Sequence, residues 1–565
     1  MAASFSFVDF IFLGVTLAVS MAIGIFFAIK NRHQTNQMQF FFGGRKLPIL
    51  PTALSLLTSF ISGIAILSYP AEMYTMGTVF AWTTLGATLA VLFTAFFVIP
   101  VFYCIQSVNL YQYLEDRFNS RLLRRFGSFF FTANTLIYMG VALFAPSIAL
   151  AGATGVPTWV YIVTVGVICS FYTTIGGISA VIWTDTFQAI LMYAGIFTIL
   201  IRGTARVGGI EEVMRIAKNH GRLDNFFNFD PDPFQYNTFW TATFGGMFYW
   251  ASGFCSSQIA LQRYCSLSSL GRGRIVALLN VPCLCLVFIL VFLNGIVMYS
   301  YYAGCDPIKS EGVSRDQLMI LFMLELLGDI KGMPGLFLAC VFSGTLSTVS
   351  SGINSVAAVL WSEFTSGSET SKKSWITKIL SLILGALTIG IAFAAEPLGG
   401  VLKAVLGGIG CLSGPALGLI LLGVLVPWAN WVGATVGVVL ATLLNVGLFV
   451  GRALTRPDVA YTLPTSTDCC TSTGNVTLKL SAEYCNVTQS VFSSPVLHRT
   501  GAVKLFSLST LMMPLFGAIV VLLVGSTLSA IIKVKSEKHR PELVYWTARN
   551  LQTIPNPDEM EMHKS

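Results

Sequence analysis

The chain has 565 residues, of which 54% are hydrophobic and 11% charged. Soluble domains carry about 25% charged residues, so the composition excludes an ordinary soluble enzyme. The net charge of +8 is spread over loops between apolar runs, where it reports orientation and gives nucleic-acid binding no support.

Apolar stretches of about 20 residues, the length that crosses a hydrocarbon core, recur along the chain. Spans are expected at 8–29, 48–74, 78–104, 127–151, 157–176, 181–202, 238–260, 276–302, 333–360, 376–395, 398–424, 427–450 and 508–532. The runs are too long and too little alternating for a barrel. The prediction is an all-α polytopic membrane protein of about 13 transmembrane helices.

The first run lacks a basic leader and is followed by Lys30, Arg32, Arg45 and Lys46. It therefore reads as a lead span with its N-terminus outside, which parity converts to an inside C-terminus. The inside segments hold the excess of Lys and Arg, and the outside ones fall in long loops that the charge rule discounts. Two sequons begin at Asn475 and Asn486 in the 451–507 loop, on the predicted outer side, and are expected glycosylation sites. Cys305, Cys469, Cys470 and Cys485 lie in outer loops, where three disulfide pairings are possible.

A lead helix and inner loop (1–47) thus precede a first five-helix unit (48–202) and an outer loop (203–237). A second five-helix unit (238–424), a further helix (425–450), the sequon loop (451–507) and a last span (508–532) follow. The charged segment 533–565 reads as a cytoplasmic tail. No P-loop pattern supplies nucleotide energy, so transport would draw on an ion gradient.

Two spans carry helix-weakening residues. The 48–74 segment contains Ser55, Thr58, Ser59, Ser62 and Gly63; the 238–260 segment contains Gly245, Gly246, Ser252 and Gly253, with Ser256 and Ser257 beyond. Gly and Ser also serve close packing. Their matched positions in the two five-helix units instead predict interrupted helices around a midplane site.

The run Ser343 to Asn354 in the 333–360 span is the densest polar stretch within any span. Hydroxyls bonding their own helix explain part of it. Ser347, Thr348 and Ser351 share one helix surface, where converging oxygens suit a hard cation. Asp185, in the 181–202 span, is a functional candidate because membrane carboxylates are costly; an interfacial acid facing water is the alternative.

Several ordered segments resemble the sodium:solute symporter family, particularly its iodide, monocarboxylate and multivitamin branch. They include Phe40-Phe41-Phe42-Gly43-Gly44-Arg45, Tyr111-Gln112-Tyr113-Leu114-Glu115, Ala180 to Asp185, Gln262-Arg263-Tyr264, and Pro334 to Cys340 with Ser343 to Thr348. The resemblance implies a LeuT-like five-plus-five inverted repeat working by alternating access. It implies a sodium site made by the carbonyls of Thr58, Ile61 and Gly344 and the hydroxyls of Ser347 and Thr348. A second cation site would use Asp185, Ser350 and Ser351. The solute would lie beside Phe60, Ile64, Ala65, Ala87, Phe144 and Trp250.

In the iodide transporters the positions of Ala65 and Ala87 carry glutamine and that of Phe144 carries tyrosine, so the resemblance disfavours iodide here. Lys403 stands where this branch usually has glutamine. A membrane lysine costs roughly 2.5–3.5 kcal/mol at mid-bilayer, less near an end. Snorkelling explains it; attraction of a carboxylate solute is the functional alternative.

The expected function is sodium-coupled import of a small organic anion, a monocarboxylate or vitamin-like carboxylate, across the plasma membrane. Another solute such as a halide or polyol, or a transporter-like channel or sensor, is the alternative. Sodium is the expected coupling ion, with no cofactor and no catalytic residues.

Overall fold

The computed structural model describes residues 5–30, 37–105, 109–365, 374–395, 401–455, 462–468, 470, 502–532, 534 and 543–546. Its regular elements there are all helical. Helices satisfy their own backbone groups, which lipid cannot do. In chain order the principal helices are α1 (Phe7–Lys30), α2 (Ile49–Phe60), α3 (Gly63–Met76), α4 (Thr83–Phe93), α5 (Arg121–Thr154), α6 (Thr158–Val207), α7 (Gly246–Ser256) and α8 (Gln258–Cys265). There follow α9 (Leu270–Tyr301), α10 (Arg315–Leu327), α11 (Met333–Thr365), α12 (Ser374–Ala394), α13 (Val401–Leu425), α14 (Trp431–Thr455) and α15 (Met512–Ile531).

Among the described residues ten helices are long and apolar enough to cross a membrane, and the bent pair α2–α3 raises this to eleven. The fifty residues of α6 would stretch about 75 Å as one helix, more than twice the hydrocarbon thickness. They hold two of the expected spans, divided at Gly177, whose φ of 62° and ψ of −163° break the helix. The expected 238–260 span is divided between a π-helical turn (Thr241–Gly245), α7 and α8.

Among the membrane-length helices of the described residues, α11 is the most completely buried. The lead helix is fastened to it by Asp9, whose Oδ1 accepts from the backbone N–H groups of Gly332 and Gly335, both at 3.0 Å. A carboxylate there satisfies orphan donors and complements the positive end of the α11 dipole.

At one end of the bundle, Cys305 is disulfide-bonded to Cys470, one of the three pairings left open by the sequence. Cys469, Cys485 and both sequon asparagines, Asn475 and Asn486, lie outside the described residues. The bridge holds a strap over the end of α3: Leu463 N–H donates to Thr75 O at 2.8 Å, and Arg222 donates to Pro464 O at 2.6 Å. Thr465 Oγ1 donates to Asp306 Oδ2, whose other oxygen accepts from Tyr74 at 2.8 Å.

Candidate functional site

The break between α2 and α3 organises everything around it. The two helices meet at 58° because Ile61 (ψ 95°) and Ser62 (ψ 173°) are extended. Ser62 caps the new helix, its Oγ accepting from Ile64 N–H at 3.2 Å. The second interruption repeats this device: Ser257, extended at ψ 133°, accepts from Ile259 N–H at 3.2 Å between α7 and α8.

The second break therefore falls at Ser257 and not at the glycine pair. Gly245 and Gly246 serve close packing: a Cβ on Gly245 would sit 2.8 Å from the backbone of Leu511. The α2–α3 break falls at Ile61 and Ser62, within the polar stretch expected to hold it.

α11 passes directly alongside the first break because Gly344 has no side chain. A Cβ there would lie 2.8 Å from Gly63 N and 3.4 Å from Ile61 O. One turn on, Ser347 Oγ donates to Thr58 O at 2.7 Å and to Gly344 O at 3.0 Å. Thr348 Oγ1 donates to Gly344 O at 3.0 Å and Ser59 O at 3.5 Å. The carbonyls of Thr58, Ile61 and Gly344 and the hydroxyls of Ser347 and Thr348 thus lie together as a buried group of neutral oxygens. Both hydroxyls rotate about their side-chain bonds, so their lone pairs can turn toward a cation and their protons away from it.

A second cluster lies about one helical turn further along α2 and α11. Asp185 is fully buried, and its Oδ2 accepts from Ser55 Oγ at 2.5 Å and Ser351 Oγ at 3.3 Å. The interfacial alternative, an acid facing water, is excluded by that burial. Arg263 of α8 completes the cluster: it donates to Asp185 Oδ2 at 3.0 Å, Ser351 Oγ at 2.6 Å, Ser55 Oγ at 2.9 Å and Ile259 O at 3.0 Å. The ion pair has no solvent exposure on either side chain. Ser59 Oγ lies 2.7 Å from Ser351 Oγ. Ser350 points elsewhere, donating to Ser347 O at 3.1 Å, so only Ser351 of the expected pair reaches Asp185. Asp185 Oδ1 is buried without a partner.

Arg263 is the member of this cluster that sequence reading did not place there. A charged residue just past a span reads as interfacial. The pairing becomes visible only when α8, redirected at Ser257, folds back beneath the break.

The break also floors a cavity of about 980 Å³, counted to its open mouth. Phe60, Ile64, Ala65 and Trp250 line it. Ala87 and Phe144 do not line it; both are buried in the surrounding core, at 0% and 5% exposure. The side chain of Lys403 lies outside the described residues. Three tyrosines, Tyr69, Tyr138 and Tyr249, join the lining together with Asn134, Ser252 and Ser413, and among the described residues no lining side chain is charged.

From the break the cavity runs past Phe131, Tyr111 and Ser256, away from the disulfide end. Toward the disulfide end it meets an aromatic seal. Tyr69 packs on Phe80 at 5.3 Å and Phe292 at 6.1 Å, and Phe288 joins Phe292 to Trp250 at 5.7 and 5.4 Å.

Comparison with known proteins adds to this geometry. Residues 40–441 match the model of the sodium:solute symporter family. Human sodium-coupled monocarboxylate transporter 1 is 39% identical over 530 residues, covering 92% of this chain and 86% of that protein. Human sodium-coupled monocarboxylate transporter 2 is 36% identical, covering 83% and 76%. The human sodium/iodide cotransporter is 38% identical, covering 80% and 71%. The solved substrate-bound, outward-open structure of a sodium-coupled sialic acid symporter shares the fold, with a TM-score of 0.74 at 22% identity, covering 95% of this chain and 100% of that one.

Proposed function

The chain belongs to the sodium:solute symporter family, and from that membership we propose that it imports a small monocarboxylate with sodium across the plasma membrane. The observation that carries this reading is the pocket of neutral oxygens at the α2–α3 break, which shares Ser59 with the solute cavity. Sodium accepts such a ligand set because it is a hard cation satisfied by carbonyl and hydroxyl dipoles. The α3 N-terminus beside it favours an anionic solute group.

In this reading Thr58, Ile61, Gly344, Ser347 and Thr348 hold sodium. Phe60, Ile64, Ala65 and Trp250 enclose the solute, and Lys403 attracts it at the outer end of α13. The two five-helix units form an inverted repeat, with the N-terminus outside and the C-terminus inside. The aromatic seal at the disulfide end then makes this an inward-directed state, and alternating access requires Tyr69, Phe288 and Phe292 to separate.

The names of two of the relatives support monocarboxylate as the solute. The test is uptake of lactate, pyruvate, nicotinate, biotin, pantothenate and iodide by cells expressing the full chain, in sodium and in choline medium. Sodium-dependent uptake of at least one monocarboxylate is expected. Uptake of iodide alone, or carboxylate uptake equal in choline, would refute the reading.

A further inference from the structure

Among the described residues no cationic side chain lines the solute cavity, and three phenols do. Tyr69 of α3, Tyr138 of α5 and Tyr249 of α7 all line it and are near enough to one another to interact electrostatically. Tyr138 is already committed, donating to Ser62 Oγ at 3.0 Å. That bond also fixes the cap of α3, because the same oxygen accepts from Ile64 N–H.

The hydroxyls of Tyr69 and Tyr249 make no hydrogen bond to a protein group among the described residues. Both side chains line the cavity, and neither hydroxyl is among the buried atoms left without a partner, so each is open to take its partner from whatever fills the cavity. Ser62, Ile64 and Ala65 also line it, so the positive end of the fourteen-residue α3 faces the same space and favours a negative occupant.

We propose that Tyr69 and Tyr249 donate hydrogen bonds to the solute carboxylate, with Tyr138 and Ser62 holding the α3 terminus in place beneath it. Phe60, Ile64 and Trp250 then take the hydrocarbon part. Phe60 packs on Phe254 at 4.9 Å and Trp250 on Phe288 at 5.4 Å. Neutral donors suit a carrier. Bonds to a carboxylate are charge-assisted and selective, yet no fixed cation remains in the membrane when the solute has left. Because Tyr69 belongs to the aromatic seal as well, solute binding and the state of the seal meet at one side chain.

This inference rests on the monocarboxylate reading above. The test uses the full chain at saturating sodium, with lactate and nicotinate as substrates and lactamide and nicotinamide as competitors. Tyr249→Phe and Tyr69→Phe are each expected to raise KM for the carboxylate on the order of tenfold while Vmax per surface copy is kept. The advantage of carboxylate over amide should shrink by a similar factor, a change that loosened packing alone would not cause. Unchanged KM and unchanged selectivity in Tyr249→Phe would overturn the subsite; that variant decides alone if Tyr69→Phe fails to reach the surface. Absence of sodium-dependent lactate and nicotinate uptake in the unsubstituted chain would overturn the monocarboxylate reading, and the subsite with it.

Discussion

The Asp185–Arg263 pair permits a quantitative test. Asp185→Asn removes the charge but keeps an oxygen able to accept from Ser55 and Ser351. What it leaves is a guanidinium with no solvent exposure and no counter-charge. Breaking a buried pair by removing one partner costs about 3–5 kcal/mol. Arg263→Gln leaves the complementary defect, an uncompensated carboxylate whose Oδ1 already lacks a partner. The double variant, Asp185→Asn with Arg263→Gln, buries two amides that can bond each other, so part of the summed loss should return. A double-mutant cycle read from thermal melting of the detergent-purified chain should give a coupling energy of about 2–3 kcal/mol. Transport adds a second readout: Arg263→Gln frees Asp185, so a second cation site there should bind sodium more tightly and steepen the sodium activation curve. Additive losses in melting, with the double variant as unstable as the two singles summed, would refute the reasoning.

Ser347→Ala combined with Thr348→Ala should raise the half-activating sodium concentration at least tenfold, from two lost ligands, with surface expression intact; sodium activation curves check this. Lys403→Gln should raise the apparent KM for a carboxylate about threefold if the lysine attracts solute, and leave it unchanged if it only snorkels. Burial pushes Glu325 of α10 up to about 7, against the lowering effect of the Tyr302 hydroxyl that donates to it at 2.9 Å, with Glu311 adding to the rise. A carboxyl that holds its proton more tightly when folded stabilises the fold at low pH, so stability falls as pH rises from about 4.5 to about 7 and then levels. Melting of Glu325→Gln across that range should lack this component.

Much of the fold could be read from the sequence because lipid imposes length and hydropathy on every span. The division at Gly177 is legible as a glycine pair between two apolar runs, and the α2–α3 break as a polar stretch within one. The second break misleads for a physical reason. Gly245-Gly246 is the more conspicuous signal, but it admits a neighbouring backbone, whereas the helix ends at Ser257, whose side chain replaces the lost backbone acceptor. Ser347 and Thr348 are visible as an unusual hydroxyl density, but the carbonyls they meet belong to a segment almost three hundred residues earlier. Only the family resemblance brought these together before the fold did. Arg263 stands in a family-like segment, Gln262-Arg263-Tyr264, but neither it nor the three tyrosines carries a local sign of its partners: a charged residue past a span and scattered phenols are ordinary in membrane proteins, and only tertiary placement makes them a pair and a trio.

The two polar centres share their helices, which gives a route for coupling. α2 presents the carbonyls of Thr58 and Ser59 to the hydroxyls of Ser347 and Thr348. It presents the hydroxyls of Ser55 and Ser59 to the Asp185 cluster. On α11, Ser347 and Ser351 stand one turn apart. Arg263 sits just beyond the break at Ser257, so a swing of α8 would draw the guanidinium from Asp185 and release Ser351 and Ser55 together. Ser59 is the hinge of this scheme, its Oγ bonding Ser55 O at 2.6 Å and meeting Ser351 Oγ at 2.7 Å. Ser59→Ala removes that link while sparing every carbonyl at the sodium pocket, and one buried hydrogen bond is worth about 1 kcal/mol. It should therefore shift the half-activating sodium concentration about fivefold in the native background. In the Asp185→Asn, Arg263→Gln background, where the cluster carries no charge to transmit, the shift should largely vanish. An equal shift in both backgrounds would mean that the two centres are independent and that Ser59 acts through the sodium pocket alone.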